Sequence, residues 1–306
     1  MKVLVFGGAG FLGSYVVDEL VNRGYEVAVF DLRDSLYANG DARTIVGSIL
    51  DEDSVRAAVA GQDAVYNFAG LADLNDSIDK PVETVQLNVM GNLNILEACR
   101  HEKVNRFIYA SSLYVFSHKG AFYGASKKSS ELIVEQYGQQ YDLGYTVIRY
   151  GSVYGERGDA NNRIYRILRQ ALTEGKITFP GDGSEEREYI HGRDAAKLST
   201  DVLESDKYLK QNVILTGIER FKYTDLLSFI KEMMNDEIDI EMLGQDYKGH
   251  YVLTPYSFTP SIGVKLVNNP SIDFGQGLLE CINQVFNELQ EEGVLDGTPV
   301  PAEYSE

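Results

Sequence analysis

The chain opens with a pattern that few folds accept. Lys2–Phe6 (KVLVF) is followed by Gly7-Gly8-Ala9-Gly10-Phe11-Leu12-Gly13, and then by Val16, Val17, Leu20 and Val21 at helical spacing. So short and apolar a run predicts a strand buried on both faces, as parallel sheets require. Strand, glycine turn and helix, in that order, is the context in which G-x-x-G-x-x-G spacing binds a dinucleotide. The glycines admit the backbone to a pyrophosphate, and the helix N-terminus favours its charge. Glu26–Phe30 reads as a second strand ending at Asp31, eighteen residues after Gly13. A carboxylate there accepts hydrogen bonds from a ribose diol and repels a 2′-phosphate, which favours NAD over NADP; Arg33 points the other way.

Strand and helix continue to alternate. Thr44–Val46, Ala64–Phe68, Arg106–Ala110 and Tyr145–Arg149 read as strands. Between them lie a helix capped by Asp51, a long helix opened by Pro81, and one running from Tyr123 to about Tyr141. Past Tyr150 the pattern loosens. Helices are expected at 162–174, 195–204, about 225–234 and about 275–290, with strands at 213–215 and 238–242. The fold class is therefore α/β, a doubly wound parallel (Rossmann) sheet with a smaller C-terminal α/β lobe. Residues 1–151 with about 187–215 are expected to bind the dinucleotide, and about 152–186 with 216–306 the substrate. A chain of 306 residues with a formal charge of −18 has no basic face for nucleic acid, so an anionic ligand must be held by helix N-termini and single Arg residues. Cys99 and Cys281 sit in apolar helical patterns and predict two buried thiols rather than a disulfide. No apolar run approaches the ~20 residues that span a bilayer, and the N-terminus enters a strand directly. A cytoplasmic protein without membrane contact is expected.

Tyr123 and Lys127 share one helix face, and an ammonium there lowers the phenol's pKa toward neutrality. With 20 Tyr in the chain, roughly one Tyr–Lys pair at this spacing arises by chance, so a surface pair is the bland alternative. Position decides between them: an apolar strand delivers Ser111 and Ser112 just before the pair, at the carboxyl end where open α/β sheets bind ligands. Four His without ligand-like spacing predict no catalytic metal.

GGAGFLG, Asp31, NFAGL, YASS, YGASK, IRYGSVYGER and GDGSEEREYIHGRD together resemble the extended short-chain dehydrogenase/reductase family, over residues 1 to about 204. Its nucleotide-sugar epimerases and dehydratases are the nearest group, and UDP-galactose/UDP-glucose 4-epimerase the nearest type. The resemblance implies NAD contacts at Gly7, Gly10, Phe11, Leu12, Gly13, Asp31, Leu32, Ser48, Ile49, Phe68, Ala69, Gly70, Asn88, Ala110, Tyr123, Lys127, Tyr150 and Val153. It implies substrate contacts at Leu71, Ser111, Ser112, Ser152, Phe179 and Arg187. Of these, Phe179 would border the nucleobase and Arg187 hold phosphates. Tyr123 becomes the base, Lys127 its tuner and a ribose ligand, and Ser112 the hydroxyl that orients the sugar. Ser48 departs from a common Asp, Ser152 from a common Asn, and Phe116-Ser117 from Tyr-Gly. No second phosphate-binding Arg is evident; His250-Tyr251 through Tyr256 is the stretch to inspect. His118 could border the site, though an exposed loop position is the plainer reading.

The expected function is NAD-dependent epimerisation of a nucleotide sugar, at C4 of a UDP-hexose or derivative, by a homodimer. A 4,6-dehydratase or UDP-glucuronate decarboxylase is the alternative on the same scaffold. Family dehydratases place Asp and Glu directly after the catalytic Ser/Thr, whereas Leu113 and Tyr114 stand there here. A non-catalytic NAD-sensing protein is the rival of another class, and the retained Tyr123 and Lys127 argue against it.

Overall fold

A computed structural model describes residues 1–37, 39–117, 119–245, 264–266 and 272–297. His118 and the His250–Tyr256 stretch lie outside the described residues.

Among the described residues eight parallel strands make the main sheet. They are β1 (Lys2–Phe6), β2 (Glu26–Asp31), β3 (Arg43–Val46), β4 (Ala64–Asn67), β5 (Arg106–Ser112), β6 (Tyr145–Tyr150), β10 (Gln211–Leu215) and β13 (Val264–Leu266), ordered 13-10-6-5-4-1-2-3. The chain runs outward from β1 to β2 and β3, then crosses back to place β4 on the other side of β1. That reversal opens a crevice at the carboxyl ends, where such sheets take ligands. Register aligns those ends: Phe6 pairs with Phe30 and Asn67, and Ser112 with Tyr150.

Helices cover both faces. On one face α1 (Phe11–Asn22) packs with α8 (Gly192–Glu204) over Val3, Val5, Ala110, Ile148 and Tyr150. The other face carries α2 (Glu52–Val59), α5 (Asn92–Glu102) and α6 (Ala121–Gln140) over Leu4, Phe6, Phe107, Tyr109 and Val147. The alternating residues of each strand thus serve two cores, which is why the strands read as unbroken apolar runs. Asp51 caps α2 through Ser54 N–H, as its position predicts. The helix opened by Pro81 is less regular than its sequence suggests: α3 (Leu74–Asp79) and α4 (Pro81–Val85) lead into a π-helical segment over Gln86–Gly91 before α5 begins.

A third core gathers Tyr154, Ile164, Leu168, Ile177, Phe179, Tyr189, Leu226, Ile230, Leu278 and Ile282. Its elements are β7 (Ser152–Tyr154), α7 (Arg163–Glu174), β8 (Lys176–Phe179), β9 (Glu186–His191), β11 (Arg220–Lys222), α9 (Tyr223–Met233), β12 (Asp239–Met242) and α10 (Phe274–Glu291). Small sheets β11-β9-β7 and β12-β8 frame it. Where the sequence reading gives all of 216–306 to this lobe, β13 instead pairs with β10 and extends the main sheet. Its three residues carry too short a pattern to announce that. Cys99 and Cys281 are buried and unbridged. Among the described residues no helix is long and apolar enough to cross a membrane.

Candidate active site

The glycine turn is set by contacts that leave no room for side chains. Gly7 has φ +75°, and a Cβ on it would lie 2.6 Å from the Ala69 amide nitrogen. A Cβ on Gly13 would meet Gly7 O at 2.2 Å, so α1 packs directly on the turn. Gly10 begins α1 without any side-chain cap, which leaves the first amides of the helix for an external anion. Phe11 and Leu12 are half-buried against the α1 face of the sheet. Asp31 closes the turn from β2: its carboxylate accepts from Ala9 N–H at 3.0 Å and Leu32 N–H at 2.7 Å. It therefore braces the turn with one set of lone pairs and keeps others for a ribose diol. The Leu32 side chain is exposed. This uncapped, side-chain-free cradle beside a carboxylate fits NAD.

Farther along the crevice, Ser48 Oγ is engaged locally by Leu50 N–H at 3.2 Å, and Ile49 is buried against Gly91. Phe68 stacks on Tyr66 and leans on Tyr150, leading into Ala69 and Gly70. Asn88, in the π-helical segment, donates both amide hydrogens and keeps one acceptor site on Oδ1. Oδ1 accepts from Leu71 N–H at 2.7 Å, while Nδ2 donates to Leu71 O and Ser126 Oγ, both at 2.9 Å. These bonds clamp the Gly70–Leu71 loop to the Tyr123 helix. Tyr150 likewise spends its hydroxyl, on Ser199 Oγ at 2.6 Å, which leaves ring and backbone to face the crevice. Val153 and Ser152 stand half-buried at β7.

Ser112, Tyr123 and Lys127 converge at the end of β5. Gly120 (φ +101°) and Ala121 (φ +46°) turn the chain sharply into α6, a strained backbone just before Tyr123. Tyr123 meets Tyr114 edge-on at 6.1 Å. The Lys127 ammonium donates to Ala110 O at 2.8 Å, 4.9 Å from the Tyr109 ring centroid and 5.8 Å from that of Tyr123. Burial pushes its pKa down to about 8, against the upward pull of Glu131. Ser112, nearly buried, accepts from Tyr114 N–H at 3.3 Å.

Two substrate expectations change, and the third, Arg187, stays open. Ser111 points to the opposite face from Ser112, and its hydroxyl donates to Glu131 Oε1 at 2.5 Å, so it does not face a sugar. Phe179 is 1 % exposed and packs on Tyr223 at 4.7 Å within the third core, so it does not border a nucleobase. Arg187 is buried in β9, donating to Glu186 O at 2.7 Å with its guanidinium 5.6 Å from the Tyr223 ring centroid.

The sequence reading missed two clusters. Glu131 joins Ser111 to Arg149, whose guanidinium donates to it at 2.7, 3.0 and 3.2 Å. Extending the four-residue step from Tyr123 through Lys127 reaches Glu131, a signal that was available. The second cluster, Glu156, His191 and Glu280, has ligand atoms within 4.8 Å of one another. Its hydrogen bonding opposes a cation. His191 Nδ1 accepts from Arg193 N–H at 3.3 Å as the cap of α8, which leaves the ring proton on Nε2, facing carboxylates at 3.3 and 3.4 Å. Arg193 already bridges both carboxylates, at 2.6 and 3.3 Å.

A doubly wound sheet with a dinucleotide cradle at its switch point and Ser, Tyr and Lys gathered at the carboxyl end of β5 defines an NAD-dependent enzyme acting on a hydroxyl or carbonyl carbon. Residues 3–216 match the model of the NAD dependent epimerase/dehydratase family. The chain belongs to that family, and NAD is its cofactor. It is 26 % identical over 312 residues to a putative UDP-glucose 4-epimerase of Methanocaldococcus jannaschii, covering 93 % of this chain and 98 % of that one. It is 30 % identical over 339 residues to a UDP-N-acetyl-alpha-D-glucosaminuronate decarboxylase of Bacillus cytotoxicus, covering 95 % and 99 %. The crystal structure of Thermus thermophilus UDP-glucose 4-epimerase with NAD superposes with a TM-score of 0.78 at 26 % identity, covering 93 % and 99 %.

Proposed function

We propose that this enzyme, an NAD-dependent nucleotide-sugar epimerase, inverts C4 of a UDP-hexose or a derivative of one. The observation that carries the reading is the convergence of Ser112, Tyr123 and Lys127, with Leu113 and Tyr114 following Ser112. Bound NAD supplies a reversible hydride acceptor. Tyr123 as phenolate takes the proton of the C4 hydroxyl, Ser112 orients that hydroxyl, and the Lys127 ammonium stabilises the phenolate. The resulting 4-keto sugar turns over in the crevice, and Tyr123 returns the proton after reduction on the opposite face. In this reading residues 1–151 with about 187–215 hold the cofactor. Residues 152–186 and 216–306, apart from β13, hold the sugar nucleotide, with Arg187 as the phosphate ligand and Leu71 and Ser152 beside the sugar. Exposed Val82 on α4 and exposed Leu132 on α6 support a homodimer closed by these helices. Two buried free thiols suit a reducing, cytoplasmic setting.

Decarboxylation of a UDP-hexuronic acid is the second reading, favoured by the 30 % identity to a decarboxylase. Leu113 opposes it, since it can neither donate nor accept a proton, and an unperturbed Tyr with a pKa of about 10 replaces a carboxylate poorly. Turnover in deuterium oxide separates the two. Epimerisation of a UDP-hexose or UDP-hexuronic acid leaves C5 unlabelled and releases no carbon dioxide. Deuterium at C5 with a 4-keto-6-deoxy product, or carbon dioxide from the uronic acid, overturns the proposal.

A further inference from the structure

The acid–base face of α6 does not end at Lys127. Glu131 lies one turn on, on the same side of the helix, 4 % exposed. Across the layer boundary, adjacent residues of two paired strands hold it: Ser111 on β5 and Arg149 on β6, themselves register partners. Ser111 Oγ donates to it at 2.5 Å, and Arg149 donates through Nε and Nη2, the shortest contact being 2.7 Å. The Phe116 ring covers the Arg149 guanidinium at 4.6 Å. Lys127 faces Tyr123 and Glu131 from its own helix, and Tyr109 and the Ala110 carbonyl from β5. Arg149 from β6 reaches this group through Glu131. Within that set Glu131 is the carboxylate, and Tyr109, held protonated by its own burial, offers no second anion to the ammonium.

We propose that Glu131 is a positioning residue of the proton-transfer machinery: clamped by Ser111 and Arg149, its carboxylate keeps the buried Lys127 ammonium charged at working pH. This rests on the assignment of Tyr123 and Lys127 as the acid–base pair. Without the Glu131 charge, burial acts on Lys127 unopposed, and its pKa falls below the value near 8 that it has with Glu131 in place. The Tyr123 phenol then loses cationic support and ionises at higher pH, so the rising limb of the pH–rate profile moves up.

The test reads Lys127 without turnover. Its titration is followed by NMR of lysine side chains in the NAD-loaded protein, assigned by loss of the signal in Lys127→Met. Wild-type Lys127 is expected to be charged at pH 7; a midpoint below 7 overturns the proposal whatever the variants do. In Glu131→Gln the midpoint is expected to fall by about one unit and kcat at pH 7 by about tenfold, recovering toward higher pH. Because Glu131→Gln leaves Arg149 buried without its carboxylate, Glu131→Met/Arg149→Met serves as a second variant that removes both charges and keeps the volume. A downward shift of Lys127 smaller than in Glu131→Gln is expected there, because the repelling Arg149 charge goes with the attracting carboxylate, with an unchanged circular dichroism spectrum. Folded variants with wild-type Lys127 titration and pH profile show a merely structural pair and overturn the proposal. Failure of the Tyr123 assignment is seen separately, as retained activity in Tyr123→Phe.

Discussion

At the residue scale, the glycines of the turn and the carboxylate that braces them form the cradle proposed to hold the cofactor. Gly13 leaves no slack, since a methyl there meets the Gly7 carbonyl at 2.2 Å and backbone, unlike a flexible side-chain tip, yields little. We predict that Gly13→Ala folds with a loss of roughly 1–3 kcal/mol from overpacking and binds NAD at least tenfold more weakly. Wild-type protein should release NAD on denaturation, and the variant markedly less, as measured by mass spectrometry and NAD titration. Equal NAD content in the two would show that the turn shifts without cost to the cradle. These residues were legible because the signal is local: Gly7 to Gly13 and Asp31 lie within two consecutive elements. Phe179 was not. Its place in a family pattern said nothing of Tyr223, 44 residues on in the sequence, which packs against it in the third core.

At the element scale, two helices perform tasks that their sequences only partly disclose. The run from Pro81 reads as one helix, and it is continuous, but the π-helical segment rotates Asn88 inward so that one amide ties the Leu71 backbone to Ser126 of α6. Periodicity cannot show such a bulge, because a single extra residue per turn leaves the apolar count almost unchanged. The outer faces of α4 and α6 carry Val82 at 68 % and Leu132 at 58 % exposure. Apolar side chains on neighbouring helices support burial against a second copy. Val82→Glu/Leu132→Glu is expected to convert a homodimer to monomers in light scattering, with the fold intact by circular dichroism. A wild-type monomer, or a variant that stays dimeric, removes these faces from the interface.

At the scale of the whole molecule, the cluster of Glu156, His191, Arg193 and Glu280 ties β9 and α8 to the loop after β7 and to α10. Burial alone would raise the Glu156 carboxyl. The facing His191 ring, the Glu156 backbone, the nearby Tyr15 hydroxyl and the Arg193 charge instead hold it well below the usual carboxylate range. A lowered folded-state pKa contributes stability that is complete above the unfolded value of about 4.3 and is lost as pH falls through and below it. Wild-type melting temperature should therefore drop more steeply between pH 6 and pH 3 than that of Glu156→Gln, and the variant should melt lower at pH 7. Parallel curves in differential scanning calorimetry would assign the acid sensitivity elsewhere. The sequence could not reveal this cluster, because Glu156, His191 and Glu280 lie 35 to 124 residues apart and meet only through tertiary packing.

The order in which the chain visits its two parts has an engineering consequence. It leaves the main sheet after β6, returns through α8 to β10, leaves again, returns as β13, and then enters α10. With the sugar nucleotide held by the third core, as proposed above, substrate preference cannot be transplanted as one cassette. A chimera that exchanges only 152–186 or only the stretch after 216 divides a single core between two parents, and each half must still fit the other's side chains. Recombination between relatives should succeed where both inserts travel together and fail where they are parted, so that the specificity lobe is inherited as a pair of linked segments.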